Sequence, residues 1–181
     1  MSGAAEHGAP AGGSVFASGV KEQAIRANPS VARVAAVLSG AGSTARIMVT
    51  DEAAHSAAEA ARVLACDVAQ IAKSIIFRSK DSDRVVLVVT SGANRVNEKR
   101  VVEEIGEKIG KADADFVKQR TGFSIGGVAP LGHLTEPITL LDADLMKFDL
   151  VFPAAGHPNT MFRIAPDELA RLTGAKICPV N

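Results

Sequence analysis

Apolar residues recur along this chain with two different periods, which predict helices and strands that alternate within one domain. A period of about 3.6 residues predicts helices at residues 14–27, 30–40, 51–65, 97–109, 113–120 and 166–174. Runs rich in β-branched residues predict strands at residues 46–50, 68–79 (after a short helical turn), 85–90, 138–141, 150–152, 161–164 and 177–180. The polar sequence KDSD at residues 80–83 predicts a hairpin between the second and third strands.

These strands and helices alternate irregularly, which predicts a mixed α/β (α+β) fold around a curved sheet, and not a doubly wound nucleotide-binding fold. A length of 181 residues suits one domain, which we place at residues 14–181. Residues 1–13 are rich in Gly, Ala, Ser and Pro, and we interpret them as a flexible leader. Ser30 is expected to cap the second helix and Asn97 to open the fourth.

The balance of charge limits the class of partner. Lys plus Arg and Asp plus Glu both total 20, so no global positive field gathers a long nucleic acid, and any RNA contact is expected to be local. The absence of Trp and Tyr argues against a base-stacking platform of the kind used by single-strand binders.

Targeting and metal signals are also missing from the sequence. There is no secretory signal and no apolar stretch of about 20 residues that would cross a bilayer, so we expect a cytoplasmic protein with no membrane partner. Cys66 and Cys178 are interpreted as reduced core thiols. No HExxH or other zinc pattern surrounds the four histidines, and we expect no metal and no cofactor.

Lys73 is the first candidate for chemistry, because isoleucines and a phenylalanine surround it in the sequence AKSIIF. An ammonium in such a neighbourhood is costly unless its head reaches solvent or a partner. It is either a surface lysine that snorkels to water, or a cation at the mouth of a pocket that binds a phosphate or polarises an ester carbonyl.

The segment TGFSIGGVAPLGH is the second candidate, because Gly122, Gly126, Gly127 and Gly132 make it a shaped loop. Glycines let the main chain approach a ligand and can turn N–H groups toward one oxygen. The alternative is an irregular structural turn. The loop lacks the Gly-Lys-Ser/Thr ending of a phosphate-binding P-loop, so ATP is not expected.

His157, in the tight segment Gly156-His157-Pro158, is a third candidate that could position a substrate or move a proton, or could simply be exposed. His133 carries the same ambiguity. The hydroxyls of Ser74, Ser91, Ser124 and Thr121 are nucleophiles by type, but no GxSxG sequence surrounds them, so a serine triad is not supported.

Four segments resemble the YbaK/EbsC family, whose members are freestanding relatives of the editing domain inserted in bacterial prolyl-tRNA synthetase. They are IAKSIIF at residues 71–77, VVLVVTSGANRV at residues 85–96, KIGKADADFVKQRTGFSIGGVAPLGH at residues 108–133, and the late pair AAGHP and RIAPDELARL. The resemblance covers about residues 30–180 in consistent order. It implies one domain with a mixed, partly closed sheet of about six to seven strands, flanked by helices.

The resemblance also implies a function and a set of site residues. The implied reaction is trans-editing, the metal-independent hydrolysis of the ester that joins a wrong small amino acid (Ala, Cys, Ser or 2-aminobutyrate) to the 3′ acceptor end of a tRNA. An aminoacyl-tRNA synthetase is a further expected partner, and DNA is not. Lys73 matches the family's functionally important lysine, and its glycine loop, late glycine and acidic position near a strand end are matched by Gly126, Gly127, Val128, Pro130, Gly156 and Asp142. We expect catalytic roles for Lys73, Gly126 and Gly127. Substrate contacts are expected from Ser74, Thr121, Gly122, Phe123, Val128, Pro130, Asp142, Gly156 and His157.

These residues suggest a mechanism without a protein nucleophile. We hypothesise that N–H groups of Gly126 and Gly127 stabilise the oxyanion, that Lys73 holds a phosphate or the carbonyl, and that water attacks with help from the substrate's ribose hydroxyl. Two alternatives stay open: a non-catalytic module that binds a small ligand or a synthetase with the same cleft, and an enzyme that hydrolyses small esters or amides without RNA.

Overall fold

The computed structural model describes residues 15–181, and the leader predicted at residues 1–13 lies outside the described residues. The described chain contains six α-helices: α1 Gly19–Arg26, α2 Pro29–Gly40, α3 Ala57–Leu64, α4 Glu98–Ile105, α5 Ala114–Thr121 and α6 Pro166–Thr173. Its strands are β1 Ile47–Val49, β2 Ile71–Ser79, β3 Val85–Ser91, β4 Ile109–Lys111, β5 Ile138–Asp142, β6 Phe152–Pro153, β7 Thr160–Phe162 and β8 Lys176–Cys178. Short 3₁₀ helices occupy Val68–Gln70 and Ala143–Lys147.

The strands form a mixed sheet, which confirms the predicted α+β class. The order in the main sheet is β4-β2-β3-β5-β8, and β6 pairs with β2 as a sixth strand. The β2–β3 hairpin and the β2–β4 pair are antiparallel, whereas β3–β5, β5–β8 and β2–β6 are parallel. Strands β1 and β7 form a separate antiparallel pair. The main sheet is not closed, because β4 and β6 lie at one edge and β8 at the other, so the partly closed sheet implied by the resemblance is not observed.

Helices cover both faces of the sheet, so the central strand β3 is buried along its whole length. Side chains of a strand alternate between faces, and β3 follows this rule. Leu87 and Val89 join the larger core cluster with residues of α2, α5 and α6. Val86 and Val88 join a second cluster that contains Val101 of α4. This packing fixes β2, which carries Lys73, against a rigid neighbour.

Three helix starts differ from the sequence prediction. The first helix begins at Gly19 and not at residue 14. Asn28, and not Ser30, caps α2: its side chain accepts a hydrogen bond from the N–H of Ser30 at 2.9 Å. The third helix begins after Ser56, whose hydroxyl accepts from the N–H of Glu59 at 3.1 Å, and not at residue 51. Residues 51–56 therefore precede the helix as irregular chain, and Ala54 donates its N–H to the Pro158 carbonyl at 3.2 Å.

The fourth helix is shorter than predicted. Asn97 opens it as expected, and its side chain accepts from the N–H of Lys99. Gly106, with a φ of 73°, ends the helix in a left-handed conformation that glycine adopts readily. Ile109 continues the apolar spacing of α4 but lies in β4, opposite Ser79 of β2. No helix of the described chain is long and apolar enough to cross a membrane.

Candidate active site

A cleft opens where the edge of β2 is left unpaired. β3 covers one edge of β2 along its length. On the other edge, β6 pairs only with Ile71 and Ala72, and β4 pairs only with residues 77–79. Residues 73–76 have no strand partner on this side, and all four line a cavity of about 410 Å³. This volume lies in the range of small-molecule sites.

The other walls of the cleft come from three segments of the chain. The segment at the start of α3 contributes Ala54, His55, Ser56, Ala57 and Ala60. The glycine loop after α5 contributes Ile125, Gly126 and Val128, and the β6–β7 region contributes Phe152, Ala154, His157, Pro158, Thr160 and Met161. The walls are therefore mainly apolar, with few polar groups.

The pairing register shows which main-chain groups of β2 face the gap. Ser79 donates its N–H to the carbonyl of Arg84, and Ile71 accepts from Gly92, so odd-numbered residues of β2 direct their N–H and C=O groups toward β3. In an antiparallel pair the intervening residues point the other way. Ser74 and Ile76 thus present main-chain groups to the cleft, and the buried hydroxyl of Ser74 has no hydrogen-bond partner in the described chain.

Lys73 is half-buried, and its head is held at the edge of the cleft. Its Nζ donates a hydrogen bond to the main-chain carbonyl of Asn94 at 2.9 Å. Burial lowers the pKa of Lys73, the charge of Arg95 lowers it further, and the carboxylate of Asp142 opposes this shift. One of the three N–H donors of the ammonium is used by Asn94, so two can reach a bound molecule.

Asp142 lies outside the cleft, although the family resemblance predicted a substrate contact from it. It is completely buried, and its Oδ2 accepts from Thr90 Oγ1 at 3.1 Å and from Ser91 N–H at 3.0 Å. The same oxygen accepts from Asn94 Nδ2 at 2.9 Å. Asp142 therefore fixes the turn whose carbonyl holds Lys73, and its charge also acts on the Lys73 ammonium.

The glycine loop is anchored at its start by buried residues. Thr121 donates its hydroxyl to the Val117 carbonyl at 2.6 Å and accepts from the N–H of Phe123 at 3.0 Å. Phe123 is fully buried, and His133 packs edge-on against its ring at 5.3 Å. Burial lowers the pKa of His133, whose Nε2 bonds the carbonyl of Ala129. These side chains shape the loop and do not line the cleft.

The adjacent glycines of the loop have different reasons to be glycine. Gly126 lines the cleft with a φ of 95°, which other residues rarely adopt, and a β-carbon there would meet no atom within 4 Å. At Gly127 a β-carbon would lie 3.0–3.1 Å from main-chain atoms of His157. The N–H of Gly127 already donates to Ser124 O at 3.2 Å, whereas that of Gly126 has no partner in the described chain.

His157 forms the opposite lip of the cleft. Its Nδ1 accepts from the N–H of Asn159 at 3.1 Å, so in the neutral ring the proton sits on Nε2. The main-chain N–H of His157 donates to Thr160 Oγ1 at 3.1 Å, which tightens the turn. Gly156, with a φ of 98°, packs so closely on Ser30 of α2 that a β-carbon would lie 2.9 Å from the main chain.

The structure separates the residues predicted from the sequence into three groups. The cleft itself is lined by Lys73, Ser74, Gly126, Val128 and His157. A second cavity on the far side of the glycine loop is lined by Gly122, Gly127, Gly156 and, again, His157. Neither cavity is lined by Thr121, Phe123, Pro130 and Asp142, which are buried.

Several cleft residues were not expected from the sequence. Ala54, Ala57 and Met161 reach it only through tertiary packing, and no local pattern marks them. The carbonyl of Asn94 was missed because a main-chain acceptor has no sequence signal, although the SGAN turn that carries it lies in a segment that supports the family resemblance. Within residues 15–181 no three His, Cys, Asp or Glu side chains cluster in a way that could hold a metal ion.

A family model and a known protein match the part of the chain that contains the cleft. A model of the family described as the aminoacyl-tRNA editing domain matches residues 51–172. The uncharacterized protein YwhH of Bacillus subtilis (strain 168) is 34% identical over 119 residues, which are 66% of this chain and 75% of that protein. All residues that line the cleft fall within the matched range.

Two solved structures share the fold over most of the chain. A proposed trans-editing enzyme for prolyl-tRNA synthetase superposes with a TM-score of 0.80 at 34% identity, over 85% of this chain and 98% of that one. The hypothetical protein APE2540 superposes with a TM-score of 0.76 at 28% identity, over 82% of this chain and 98% of that one.

Proposed function

This chain belongs to the aminoacyl-tRNA editing domain family, and we propose that it is a trans-editing deacylase that removes a small, wrongly attached amino acid from the 3′ end of a tRNA. One observation carries the proposal: Lys73 and Gly126, about fifty residues apart in the sequence, line the same cleft. The similarity to a proposed trans-editing enzyme for prolyl-tRNA synthetase also supports an editing activity. The synthetase that makes the error is the expected partner in the pathway.

The need for a second site follows from the limits of selection by size. A synthetase pocket rejects an amino acid that is one methylene smaller by only about 1 to 3 kcal/mol, so a separate site must remove the mistake. Ala54, Ala57 and Ala60 form one wall of the cleft, and Ile71 and Met161 lie beside them. This apolar part would hold the short side chain, and the unpaired edge of β2 would bind polar groups of the aminoacyl ester.

The proposed reaction is addition of water to the ester carbonyl. The water oxygen bonds to the carbonyl carbon, and the bond from that carbon to the ribose oxygen then breaks. One proton of the water passes to the ribose oxygen, with the neighbouring ribose hydroxyl as relay, and the products are the free amino acid and the intact tRNA. The hydroxyl of Ser74 has no base beside it in the described chain, so water is assigned as the nucleophile.

The structure changes one detail of the expected oxyanion site. Because Gly127 uses its N–H within the loop, Gly126 is the one of these two glycines whose N–H is free to stabilise the developing oxyanion. One such donor contributes about 3 kcal/mol to the transition state. We assign Lys73 to the carbonyl or to the phosphate of the terminal adenosine, where its two remaining N–H donors and its charge both favour an anionic oxygen.

The experiment is a deacylation assay with a panel of tRNAs charged with Ala, Cys, Ser or 2-aminobutyrate. The wild-type protein should release one or more of these amino acids. Lys73→Ala should lose about 100-fold or more in kcat/KM, whereas the matched control Lys99→Ala, an exposed lysine of α4 that does not line the cleft, should keep it.

The outcomes separate the rival functions. Tight binding of mischarged tRNA or of a synthetase without release of amino acid would indicate a non-catalytic module. Equal turnover of free aminoacyl esters and of aminoacyl-tRNA would indicate a small-ester hydrolase. Full activity of Lys73→Ala would remove the lysine from the mechanism.

A further inference from the structure

A second cavity lies on the far side of the glycine loop and continues from the cleft. It has a volume of about 550 Å³ and shares Ile125, His157 and Pro158 with the cleft. We call it the α2–α5 groove, because Arg33 of α2 and Lys118 of α5 line it together with the loop. A molecule that occupies the cleft and extends past Ile125 would enter this groove.

The groove is positive although the whole chain has no net charge. Arg33 and Lys118 line it, and no Asp or Glu does so among the described residues. Elsewhere in residues 15–181, seven other Lys and Arg side chains form ion pairs with carboxylates. Arg33 and Lys118 form none, so both charges remain available to a bound anion.

The hydrogen bonds of the two cations leave donors free. Lys118 is exposed and gives one N–H to the carbonyl of Gly122 at 3.3 Å. Arg33 donates Nε–H to Gly132 O at 2.6 Å and stacks over the ring of Phe123 at 4.8 Å, with a longer contact from Nη2 to Thr121 O at 3.5 Å. Arg33 thus binds main-chain carbonyls at both ends of the glycine loop, whereas Lys118 binds one carbonyl, that of Gly122.

Apolar side chains stand beside these charges. Ile125 is 64% exposed and Leu134 is 60% exposed, and both line the groove. Positive side chains together with exposed apolar ones suit a short single-stranded nucleic acid, whose phosphates bind cations while its base faces pack on apolar groups. A flat patch that recognised only a small anion would not need the apolar pair.

We propose that the α2–α5 groove binds the phosphodiester backbone of the single-stranded 3′ segment that precedes the terminal adenosine of tRNA, with Lys118 as the main phosphate contact. The proposal rests on the proposed function of the cleft, since it extends the same substrate around Ile125. The proposal also agrees with the zero net charge of the chain, because a local contact with one or two phosphates needs no global positive field.

The test uses fluorescence anisotropy to measure binding of a short RNA oligonucleotide that ends in CCA. The oligonucleotide carries no amino acid, so no catalytic step takes part. Lys118→Gln should weaken binding about tenfold, and the dependence of log Kd on log salt should become shallower by about 0.7, the value for one phosphate contact on a single strand. Lys99→Gln, with the same change of charge on α4, should alter neither quantity.

A second oligonucleotide, with methylphosphonate in place of the phosphodiesters next to the terminal adenosine, completes a double-mutant cycle. It should bind more weakly than the native RNA, and Lys118→Gln should cause little further loss with it. Equal effects of Lys118→Gln on both oligonucleotides, or an effect no larger than that of Lys99→Gln, would overturn the proposal. So would binding of a short poly-glutamate peptide that depends on Lys118 while RNA binding does not, which would indicate an acidic protein partner.

The failure of this inference can be told apart from failure of the proposed function. If mischarged tRNA is deacylated but RNA binding ignores Lys118, the groove proposal alone is wrong. If no deacylation occurs but Lys118 still binds the native oligonucleotide through its phosphates, the groove proposal stands and the catalytic one is wrong.

Discussion

The close packing of the glycine loop against the turn of His157 predicts a clear effect of Gly127→Ala. A β-carbon at residue 127 would lie 3.0–3.1 Å from the N, Cα and C atoms of His157, whereas ordinary contacts begin near 3.4 Å. These are main-chain atoms, so they cannot turn aside as the end of a flexible side chain can. The loop and the turn must separate by a few tenths of an ångström.

This separation should affect both stability and activity. Overpacking of a close contact costs about 1–3 kcal/mol, and we expect a loss of unfolding free energy in that range. The displaced loop carries Gly126, the proposed oxyanion donor, one residue away. Since a shift of about 1 Å in a catalytic group can cost 100-fold, a shift of a few tenths should lower kcat/KM by about three- to tenfold.

Gly106→Ala is the matched control. Gly106 has a φ of 73°, ends α4 away from the cleft, and offers open space to a β-carbon. The same substitution there strains the main chain by about 1–2 kcal/mol, with no expected effect on turnover. Urea unfolding gives the stability of both variants, and deacylation of the tRNA identified by the panel gives their activity. A Gly127→Ala protein as stable and as active as the wild type would refute the proposed contact.

Three further predictions concern titration and buried polar groups. Burial holds the pKa of His133 below the value of about 6.5 that histidine has in an unfolded chain, so unfolding at lower pH takes up a proton. The free energy of unfolding should therefore fall as the pH drops below about 6.5. In urea unfolding, His133→Gln should lose less of this free energy between pH 7 and pH 5 than the wild type. Asp142→Asn replaces an oxygen that accepts three hydrogen bonds with a donor, so it should cost at least about 2–3 kcal/mol in urea unfolding and should lower the pKa of Lys73 further in an NMR titration. The lowered pKa of Lys73 predicts that its NMR signal titrates at a lower pH in the folded protein than after unfolding in urea, and an equal midpoint in the two states would contradict that shift.

The local pattern was sufficient for elements whose residues interact with near neighbours. The hairpin of β2 and β3 was predicted because two β-branched runs flank a short polar turn, and the structure pairs them from Ala72 to Ser91. The glycine loop was predicted because no regular element tolerates four glycines and a proline in so short a segment. The convergence of Lys73 and Gly126 in one cleft was expected from the family resemblance and not from the residues between them.

Features set by distant pairing could not be predicted in this way. Ile109 keeps the spacing of α4, yet the left-handed Gly106 ends that helix and the edge of β2 recruits Ile109 into β4. Asp142 was expected at the site because it matches an acidic position of the resembled family near the end of a strand. Only the tertiary structure shows that Thr90, Ser91 and Asn94 surround it and turn it into a support for Lys73.

The position of the cleft follows from how two short strands reach the same edge of β2. β6 arrives in parallel and stops after Ala72, while β4 arrives antiparallel and begins its pairing at Phe77. The four residues between them span about 13 Å, which admits a small ligand but is shorter than the strands that commonly join sheet edges in aggregation. Main-chain donors and acceptors can therefore stay open to a substrate without exposing the protein to edge-to-edge pairing. A longer β6 or β4 would pair with these residues and close the cleft, so the proposed site depends on the shortness of both strands.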